Sequence, residues 1–373
     1  MLFQATNRYE YRRVPVAAVY EHFEILPSHV PIDACHRYPR DPSVLINKKL
    51  SQPHLTFYRS ILKPAIIIHT GVGTTPLSDR KKAKKIADLA IKSVDAGYQT
   101  LESEAKRPAI KAVEVAVNVL EDSGLVNAGV GAIKQQDGLQ RRDATIMDGA
   151  TLSCGAVSSL EGVKNAISVV RRLMEYTELP GDEVKDPRWN FYFCGYFIDK
   201  IFEIHGEKVP DAWKMPGKQA PSRVPAPLSK EGTVGAVAID SAGNIAAGTS
   251  TGGLAGSYPG RIGDSPVIGA GTYANKFCGV VNTGRGENVM KLVCAKRVCD
   301  LVQDQGMNAM LAVDRMIKEY EAALPNTTGR IGTIAIDKDG NWTANFNGAA
   351  MTWAVKTPDH GFYGQQPGEK KEF

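Results

Sequence analysis

The chain has 373 residues, and its 45 Lys and Arg against 40 Asp and Glu give a formal net charge of +5. A composition with 43% apolar and 23% charged residues excludes disorder or a fibrous repeat as a description of the whole chain. Residues 1–63 contain no glycine and hold nine Lys or Arg against five Asp or Glu, so the rest of the chain has a net charge of only +1. Because backbone binding of nucleic acid needs a clustered basic face, we expect no nucleic acid partner.

Neither a membrane anchor nor export is indicated by the sequence. No stretch reaches the ~18 consecutive apolar residues of a membrane-spanning helix. Residues 1–15 place charged side chains where a secretory signal needs an apolar core. The six cysteines are scattered, without a Cys-x-x-Cys pair. We therefore expect reduced, mostly buried thiols in a cytoplasmic protein with no membrane partner.

Between residues 64 and 205, apolar runs of strand length alternate with segments of helical periodicity. Gly71–Gly73 follows the first apolar run as a turn. The aromatic-rich segment Trp189–Ile204 does not settle between helix and strand. The predicted strands are Ala65–His69, Ala144–Met147 and Leu152–Val157, and the predicted helices run from an N-cap at Ser78 to about Ala96, over Pro108–Asp122 and over Asn165–Glu175.

A proline-rich segment divides residues 64–373 into two parts. Residues 206–230 contain five prolines, and five Lys or Arg against two acids. Such a stretch can build neither a helix interior nor a sheet ladder, so we expect an exposed, mobile linker. A hairpin signal with its turn at Ser241–Asn244 follows. The predicted strands after the linker are Thr233–Asp240, Ile245–Thr251, Val267–Ala274, Cys278–Thr283, Ile331–Asp337 and Trp342–Asn347, and the predicted helices are Glu287–Gln305 and Met307–Leu324.

Each half supplies strands and a pair of helices, which favours an α+β fold with helices on the outer faces of stacked sheets. Residues 64–373 are expected to fold as one domain. The predicted divisions are a basic N-terminal extension of unknown role (1–63), a first part of the fold (64–205), a flexible linker (206–232) and a second part that begins at the candidate nucleophile (233–373).

The junction Gly232–Thr233, between the linker and a strand, is the candidate catalytic feature. The chain has no P-loop and no His-Glu-x-x-His. If the chain were cut at this junction, the freed α-amine, with an ordinary pKa of about 7.7 to 8.0, could activate the threonine hydroxyl. A glycine before the bond permits the strained backbone that self-cleavage needs. The alternative is a β-branched residue that simply opens a strand.

Residues 232–275, with GTVG, TSTGG, GRIGDSP and GAGTYA at their spacing, strongly resemble the small subunit of plant-type L-asparaginases and isoaspartyl peptidases, which are N-terminal-nucleophile hydrolases. The resemblance covers roughly residues 66–355 and implies a four-layer αββα sandwich, self-cleavage at Gly232–Thr233 and a dimer of αβ heterodimers. Further matching segments are His69–Gly73, Leu120–Ala132, Ile146–Gly149, Gly162–Leu173 and Asn282–Glu287.

The resemblance also implies a role for each residue of these motifs. Thr233 would be the nucleophile of both self-processing and hydrolysis, and Thr251 would orient it. Arg261 would hold the substrate α-carboxylate and Asp264 its α-ammonium, contacts that suit a planar guanidinium and a carboxylate. Read alone, these two residues could instead form a local surface ion pair. The remaining implied roles are an oxyanion hole from Thr283 and the N–H of Gly284, substrate contacts at Gly284 and Gly286, and assistance near the nucleophile from Asn127.

Residues 120–130 are similar to the sodium-binding loop of the same family. Hard oxygen ligands suit such a cation, and ligation by the backbone tolerates side-chain changes. No cofactor is expected for catalysis, and the sodium ion would be structural. The implied ligands are mostly backbone carbonyls, those of Leu120, Glu121, Ser123, Val126, Ala128 and Val130.

The activity implied is hydrolysis of the side-chain amide of L-asparagine and of β-aspartyl dipeptides, through a β-aspartyl-threonine ester. The threonine aspartases, endopeptidases that cut after Asp inside proteins, share LEDSGLVNAG and His69-Thr70-Gly71 with the first half of this chain. They do not keep the acid at Asp264, which would contact a free α-ammonium, so the small-substrate activity is favoured. A non-catalytic scaffold whose basic leader binds an acidic partner is a third hypothesis.

Arg285 departs from the family pattern, which usually has a small residue between the two glycines of NTGRG. A cation beside the oxyanion hole could admit an acidic leaving group or obstruct the pocket. The sequence therefore leaves the preference among β-aspartyl substrates open.

Overall fold

The computed structural model describes residues 63–73, 78–178, 190–217, 232–325 and 329–373. The N-terminal extension and most of the predicted linker lie outside the described residues. The described part of the chain combines two sheets with helices and is of the α+β class. Among the described residues, none of the helices has the length and apolar character that crossing a membrane requires.

The larger sheet has nine strands, and its centre is buried on both faces. The run Ile66–Ile68 is fully buried there, which explains why this strand reads as continuously apolar rather than alternating. Neighbouring strands are antiparallel except for the last pair, which is parallel. In spatial order the strands are β13 (Lys371–Glu372), β12 (Gly361–Gly364), β11 (Ala350–Lys356), β1 (Ala65–Gly73), β5 (Val234–Ile239), β6 (Ile245–Thr251), β2 (Arg142–Asp148), β3 (Cys154–Leu160) and β4 (Tyr192–Cys194).

The smaller sheet has four antiparallel strands and packs against the larger one. An apolar layer that includes Val237, Val281 and Ile334 fills the space between β1, β5 and β6 on one side and the smaller sheet on the other. At Gly279 a Cβ would lie 2.7 Å from Val237 Cγ1, so only glycine permits the sheets to approach this closely. In spatial order these strands are β10 (Trp342–Phe346), β9 (Ile331–Asp337), β8 (Cys278–Gly284) and β7 (Thr272–Ala274).

Helices cover one face of each sheet. Three of them pack against the nine-stranded sheet around the largest apolar core, and two pack against the four-stranded sheet around a second core. Amphipathic helices with one apolar stripe are stabilised by such burial. The helices are α1 (Arg80–Ser103), α2 (Pro108–Asp122) and α3 (Ala166–Thr177) on the larger sheet, α6 (Cys294–Gln305) and α7 (Ala309–Ala323) on the smaller one, and the short α4 (Ile198–Ile204) and α5 (Gly286–Leu292).

Several sequence predictions differ from the structure in their details. The helix Pro108–Asp122 is confirmed. The N-cap of α1 is Asp79 rather than Ser78, because its carboxylate accepts hydrogen bonds from two backbone N–H groups of the first turn. The single helix predicted over Glu287–Gln305 is wrong, since Val293 at φ 49° separates α5 from α6. Gly71–Gly73 is part of β1, with an irregularity in its pairing, rather than a turn.

The aromatic segment and the start of the predicted linker are both ordered parts of the fold. The described residues of Trp189–Ile204 form β4 and then α4. The segment that the sequence left undecided between helix and strand therefore contains one of each. The linker start differs from the expected mobile segment: Val209 is buried, and Trp213 meets Phe202 edge-to-face at 6.4 Å between ring centroids. Residues 218–231 lie outside the described residues.

Candidate active site

Thr233 lies directly before β5 and is buried, with its Oγ1 3.1 Å from Ser265 Oγ. Gly232 before it has φ +56°, a region that favours glycine. A Cβ at Gly232 would also lie 2.4 Å from Gly71 Cα and 2.7 Å from Thr283 Oγ1. Both the backbone conformation and the close approach therefore require glycine before the candidate nucleophile.

The register of β5 and β6 brings Thr251 to the nucleophile. Val234 pairs with Ser250, so one further step of the same ladder sets Thr251 opposite Thr233. The Thr251 hydroxyl accepts a hydrogen bond from Gly253 N at 3.1 Å. Thr251 therefore lies beside the candidate nucleophile, and its hydroxyl is bonded to the turn that follows β6.

The predicted oxyanion residues come from the smaller sheet. Thr283 is fully buried near the end of β8, and its Oγ1 accepts a hydrogen bond from Val72 N at 3.3 Å. Gly284 follows it, and a Cβ there would lie 2.1 Å from Arg330 O. Strands from two sheets therefore meet at the Gly232–Thr233 bond.

The two predicted substrate-binding residues flank one glycine. A Cβ at Gly286 would lie 2.8 Å from Arg261 Nη2 and 3.0 Å from Asp264 Oδ1. Arg261 is paired with Glu287, through Nε and Oε1 at 3.1 Å, rather than with Asp264. Asp264 is buried, and its Oδ2 has no hydrogen-bond partner within the described part of the chain. This geometry argues against a local surface ion pair and leaves one carboxylate oxygen available to a ligand.

Burial controls the charge of the acids at this site. It raises the pKa of Asp264 to about 7, while the charge of Arg261 opposes the shift. Burial also raises the pKa of Asp143 to about 6, against hydrogen bonds from the backbone of Ser159 and Gly263. A bound ammonium group would favour the ionised form of Asp264, so binding of a cationic group and loss of a proton are linked here.

Asn127 contacts the turn after Thr251. Its Nδ2 donates to Gly253 O at 2.8 Å, and its backbone carbonyl accepts from Gly252 N at 3.0 Å. Its Oδ1 accepts from Ile133 N at 3.0 Å. These bonds tie Asn127 to the backbone of the turn that follows Thr251.

The predicted sodium loop is tightly wound by glycines. A Cβ at Gly129 would lie 2.3 Å from Glu121 O, and one at Gly131 would lie 2.1 Å from Val126 O. Some of its carbonyls already accept bonds within the loop, as Val126 O does from Ala128 N at 2.9 Å. A carbonyl oxygen has two lone pairs, so the oxygen-rich loop still fits a hard cation. No cluster of His, Cys, Asp and Glu that could hold a metal ion occurs among the described residues.

Two residues of the site were missed by the sequence reasoning. Ser265 is the hydrogen-bond partner of the Thr233 hydroxyl, and its position directly after Asp264 in GRIGDSP was the available signal. His69 is fully buried at the end of the predicted first strand, and a Cβ at Gly235 would lie 3.0 Å from its Nε2. Burial lowers the pKa of His69 to about 3, against a hydrogen bond with the Thr233 backbone, so the imidazole is neutral.

A glycine-threonine junction at the start of a strand, with Thr283 of the second sheet beside it, fits the N-terminal-nucleophile hydrolases. The chain matches the family model described as asparaginase over residues 62–179 and 200–362. It therefore belongs to the asparaginase family.

Curated relatives match nearly their whole length. A probable isoaspartyl peptidase/L-asparaginase 2 of Arabidopsis thaliana is 33% identical over 79% of this chain and 96% of the relative. An isoaspartyl peptidase of Escherichia coli is 35% identical over 81% of this chain and 96% of the relative. A plant-type L-asparaginase of Pyrococcus horikoshii is 38% identical over 78% of this chain and 95% of the relative.

Proposed function

We propose that the protein is a self-processing amidohydrolase that acts on L-asparagine and β-aspartyl dipeptides. The observation that carries the proposal is the Gly232–Thr233 junction, which is enclosed by Gly71 and Thr283 with no room for a side chain on the glycine. The names of its relatives support the same activities.

The reaction follows from the chemistry of these residues. In the intact chain the nitrogen of Thr233 is an amide, so no amine is available until the bond to Gly232 is cut. The freed amine then accepts the hydroxyl proton as Oγ attacks the substrate side-chain amide carbon. The amine passes that proton to the leaving ammonia or amino acid as the C–N bond breaks. Water hydrolyses the resulting β-aspartyl ester, and free aspartate is released.

Neighbouring residues would lower the barrier at separate points. Thr283 and the N–H of Gly284 would stabilise the oxyanion, where one preorganised donor is worth on the order of 100- to 1,000-fold in rate. Arg261 would bind the α-carboxylate, and the unpartnered Oδ2 of Asp264 would accept from the α-ammonium. Ser265 would orient the Thr233 hydroxyl.

The test of self-processing is a denaturing gel of the purified 40.4 kDa chain combined with N-terminal sequencing. The expected result is two fragments, of which the smaller begins at Thr233, together with release of aspartate from L-asparagine. A single full-length band after long incubation would contradict self-processing. A processed protein without any hydrolase activity would favour the scaffold hypothesis.

Asp264 distinguishes hydrolysis of small substrates from cleavage of internal peptide bonds, because an internal aspartyl residue has no free α-ammonium for it to bind. The threonine aspartase-type endopeptidase is therefore the alternative to be tested at this residue. Loss of asparagine hydrolysis in Asp264→Ala supports the small-substrate activity. Cleavage of an internal aspartyl peptide that the substitution leaves unchanged would support the endopeptidase.

The finer features of the assembly are part of the same proposal. Helices on one face of each of two stacked sheets support a four-layer αββα sandwich. The wound carbonyl loop at residues 120–130 supports a structural sodium ion. A dimer of processed heterodimers and a cytoplasmic location rest on the family resemblance and on the scattered cysteines.

A further inference from the structure

Two arginines lie opposite each other at the end of the β8–β9 ladder. Gly284 pairs with Ile331, so the next step of the register sets Arg285 opposite Arg330. The backbone N–H of Arg285 donates to Arg330 O at 3.1 Å, which extends the pairing to this step. Directly opposite residues of an antiparallel pair share a face, and like charges there are destabilising. The catalytic roles described above do not use this pair.

Glu287 forms ion pairs with two of the arginines around this point. Glu287 meets Arg285 through Oε2 and Nε at 3.1 Å, and it meets Arg261 through Oε1 and Nε at 3.1 Å. Burial acts to raise the pKa of Glu287, but the hydrogen bond and charge of Arg261 and the charge of Arg285 hold it below its ordinary value. Arg330 adds a third guanidinium, and it forms no ion pair with the described residues.

Arg285 is placed to reach a leaving group. It directly follows Gly284, whose N–H faces the substrate carbonyl in the proposed reaction, and the leaving amine is attached to that same carbonyl carbon. Its side chain is 52% exposed, whereas that of Arg261 is 16% exposed. Arg261 is thus the inner cation, suited to the α-carboxylate, and Arg285 is the outer one.

We propose that Arg285 and Arg330 form a leaving-group subsite that takes carboxylates, so that the preferred substrates are β-aspartyl dipeptides with an acidic second residue. This inference rests on the proposed function. Ammonia released from L-asparagine brings no anion to the pair. A neutral leaving amino acid brings its terminal carboxylate, and an acidic one brings two, which match the two guanidinium groups.

The test compares kcat/KM for β-aspartyl-glutamate, β-aspartyl-leucine and L-asparagine in the processed enzyme. We expect the glutamate dipeptide to exceed the leucine dipeptide by roughly tenfold at low salt, because a charge-assisted contact at a half-exposed cation gives about this factor. Arg285→Gln should bring that ratio close to one, and Arg285→Lys should retain part of it. High salt should reduce the ratio in the wild-type enzyme.

Arg315 offers a matched control, since it is an exposed arginine of α7 that pairs with Glu319 at 2.9 Å. Arg315→Gln should leave the ratio and the activity unchanged. Equal rates on the two dipeptides, or an Arg285→Gln ratio equal to the wild-type ratio, overturn the subsite while the proposed function stands. If none of the three substrates is hydrolysed, both the subsite and the proposed function are overturned. Should Arg285→Gln fail to fold, Arg330→Gln and the salt dependence of the wild-type ratio give the same decision.

Discussion

Two buried polar clusters lie at the same end of the nine-stranded sheet, on its opposite faces. The catalytic cluster, around Thr233 and Thr251, lies between the sheets. The second cluster, which we call the brace cluster, lies between the sheet and the helices and consists of Glu121, Arg142, Asn165 and Ser250. Thr251 follows Ser250 directly, and because side chains alternate along a strand, this single step separates the two clusters.

The clusters differ in how completely their polar atoms are satisfied. In the brace cluster Glu121 accepts from Ser250 Oγ at 2.6 Å and from Ile167 N at 3.2 Å. Arg142 is fully buried and donates to Gly129 O at 2.9 Å. In the catalytic cluster one carboxylate oxygen of Asp264 has no hydrogen-bond partner among the described residues. Buried polar groups that the protein itself satisfies indicate a structural role, while the unpartnered oxygen of Asp264 remains available to a ligand.

The largest effect is expected at the nucleophile. Thr233→Ala should abolish self-cleavage and lower hydrolysis by at least about 10,000-fold, because no other hydroxyl replaces the attacking atom. Gel analysis and aspartate release measure the two effects. Ser250→Ala is the control on the opposite face, and it should still cleave and hydrolyse. If Thr233→Ala is still cleaved at an unchanged rate, Thr233 is not the nucleophile of self-cleavage.

Arg142 should carry the largest stability effect of the brace cluster. Arg142→Ala leaves a cavity and unpaired carbonyls, for which we expect a loss of about 3 kcal/mol in the free energy of unfolding. Urea denaturation of the unprocessed Thr233→Ala background measures it. Arg315→Ala, at an exposed ion pair, should change the value by less than about 0.5 kcal/mol. Equal stability of the two variants would contradict a structural role for the buried arginine.

Asp264 should control substrate binding in a pH-dependent way. Its pKa is raised to about 7, so protonation below that pH should remove the acceptor of the α-ammonium and raise KM for L-asparagine. Asp264→Asn should raise KM by about 100-fold, as expected for loss of a charged hydrogen bond of ~2.7 kcal/mol, and should abolish the dependence on pH. Asp137→Asn, at a surface pair with Arg141, is the control. A KM that stays constant between about pH 5 and 8 in the wild type would count against this role.

Glu121→Gln should give the smallest effect at acidic pH, where the buried carboxyl is neutral, and it should act on the pH dependence of stability. Burial raises the pKa of Glu121 to about 8, against the hydrogen bond from Ser250, so the folded state binds a proton more tightly than the unfolded state. Stability from this group is complete below the ordinary pKa of 4.5 and is lost as pH rises through about 8. Glu121→Gln should flatten this decline in thermal midpoint. A steeper decline in the variant would show that the ionised carboxylate stabilises the fold.

Much of the site could be predicted from the sequence because its candidate residues lie within short motifs. Gly232, Thr233 and the residues of TSTGG and GRIGD are each local to one strand end or turn, and the structure places them together. The reasoning failed where distant elements decide the environment. Ser265 was missed because its contact with Thr233 depends on the path of a loop, and the break at Val293 was missed because helical periodicity continues across it.

The sequence by itself predicted the candidate nucleophile, the glycine before it and the family to which the chain belongs, since these depend on residue identity and spacing. Only the tertiary structure decided that Thr283 of the smaller sheet closes over the Gly232–Thr233 bond. It also decided that Arg285 and Arg330 lie opposite each other at the end of the β8–β9 ladder. Such contacts depend on strand register and on the packing of two sheets, which join residues far apart in the chain and leave no local signal in either segment.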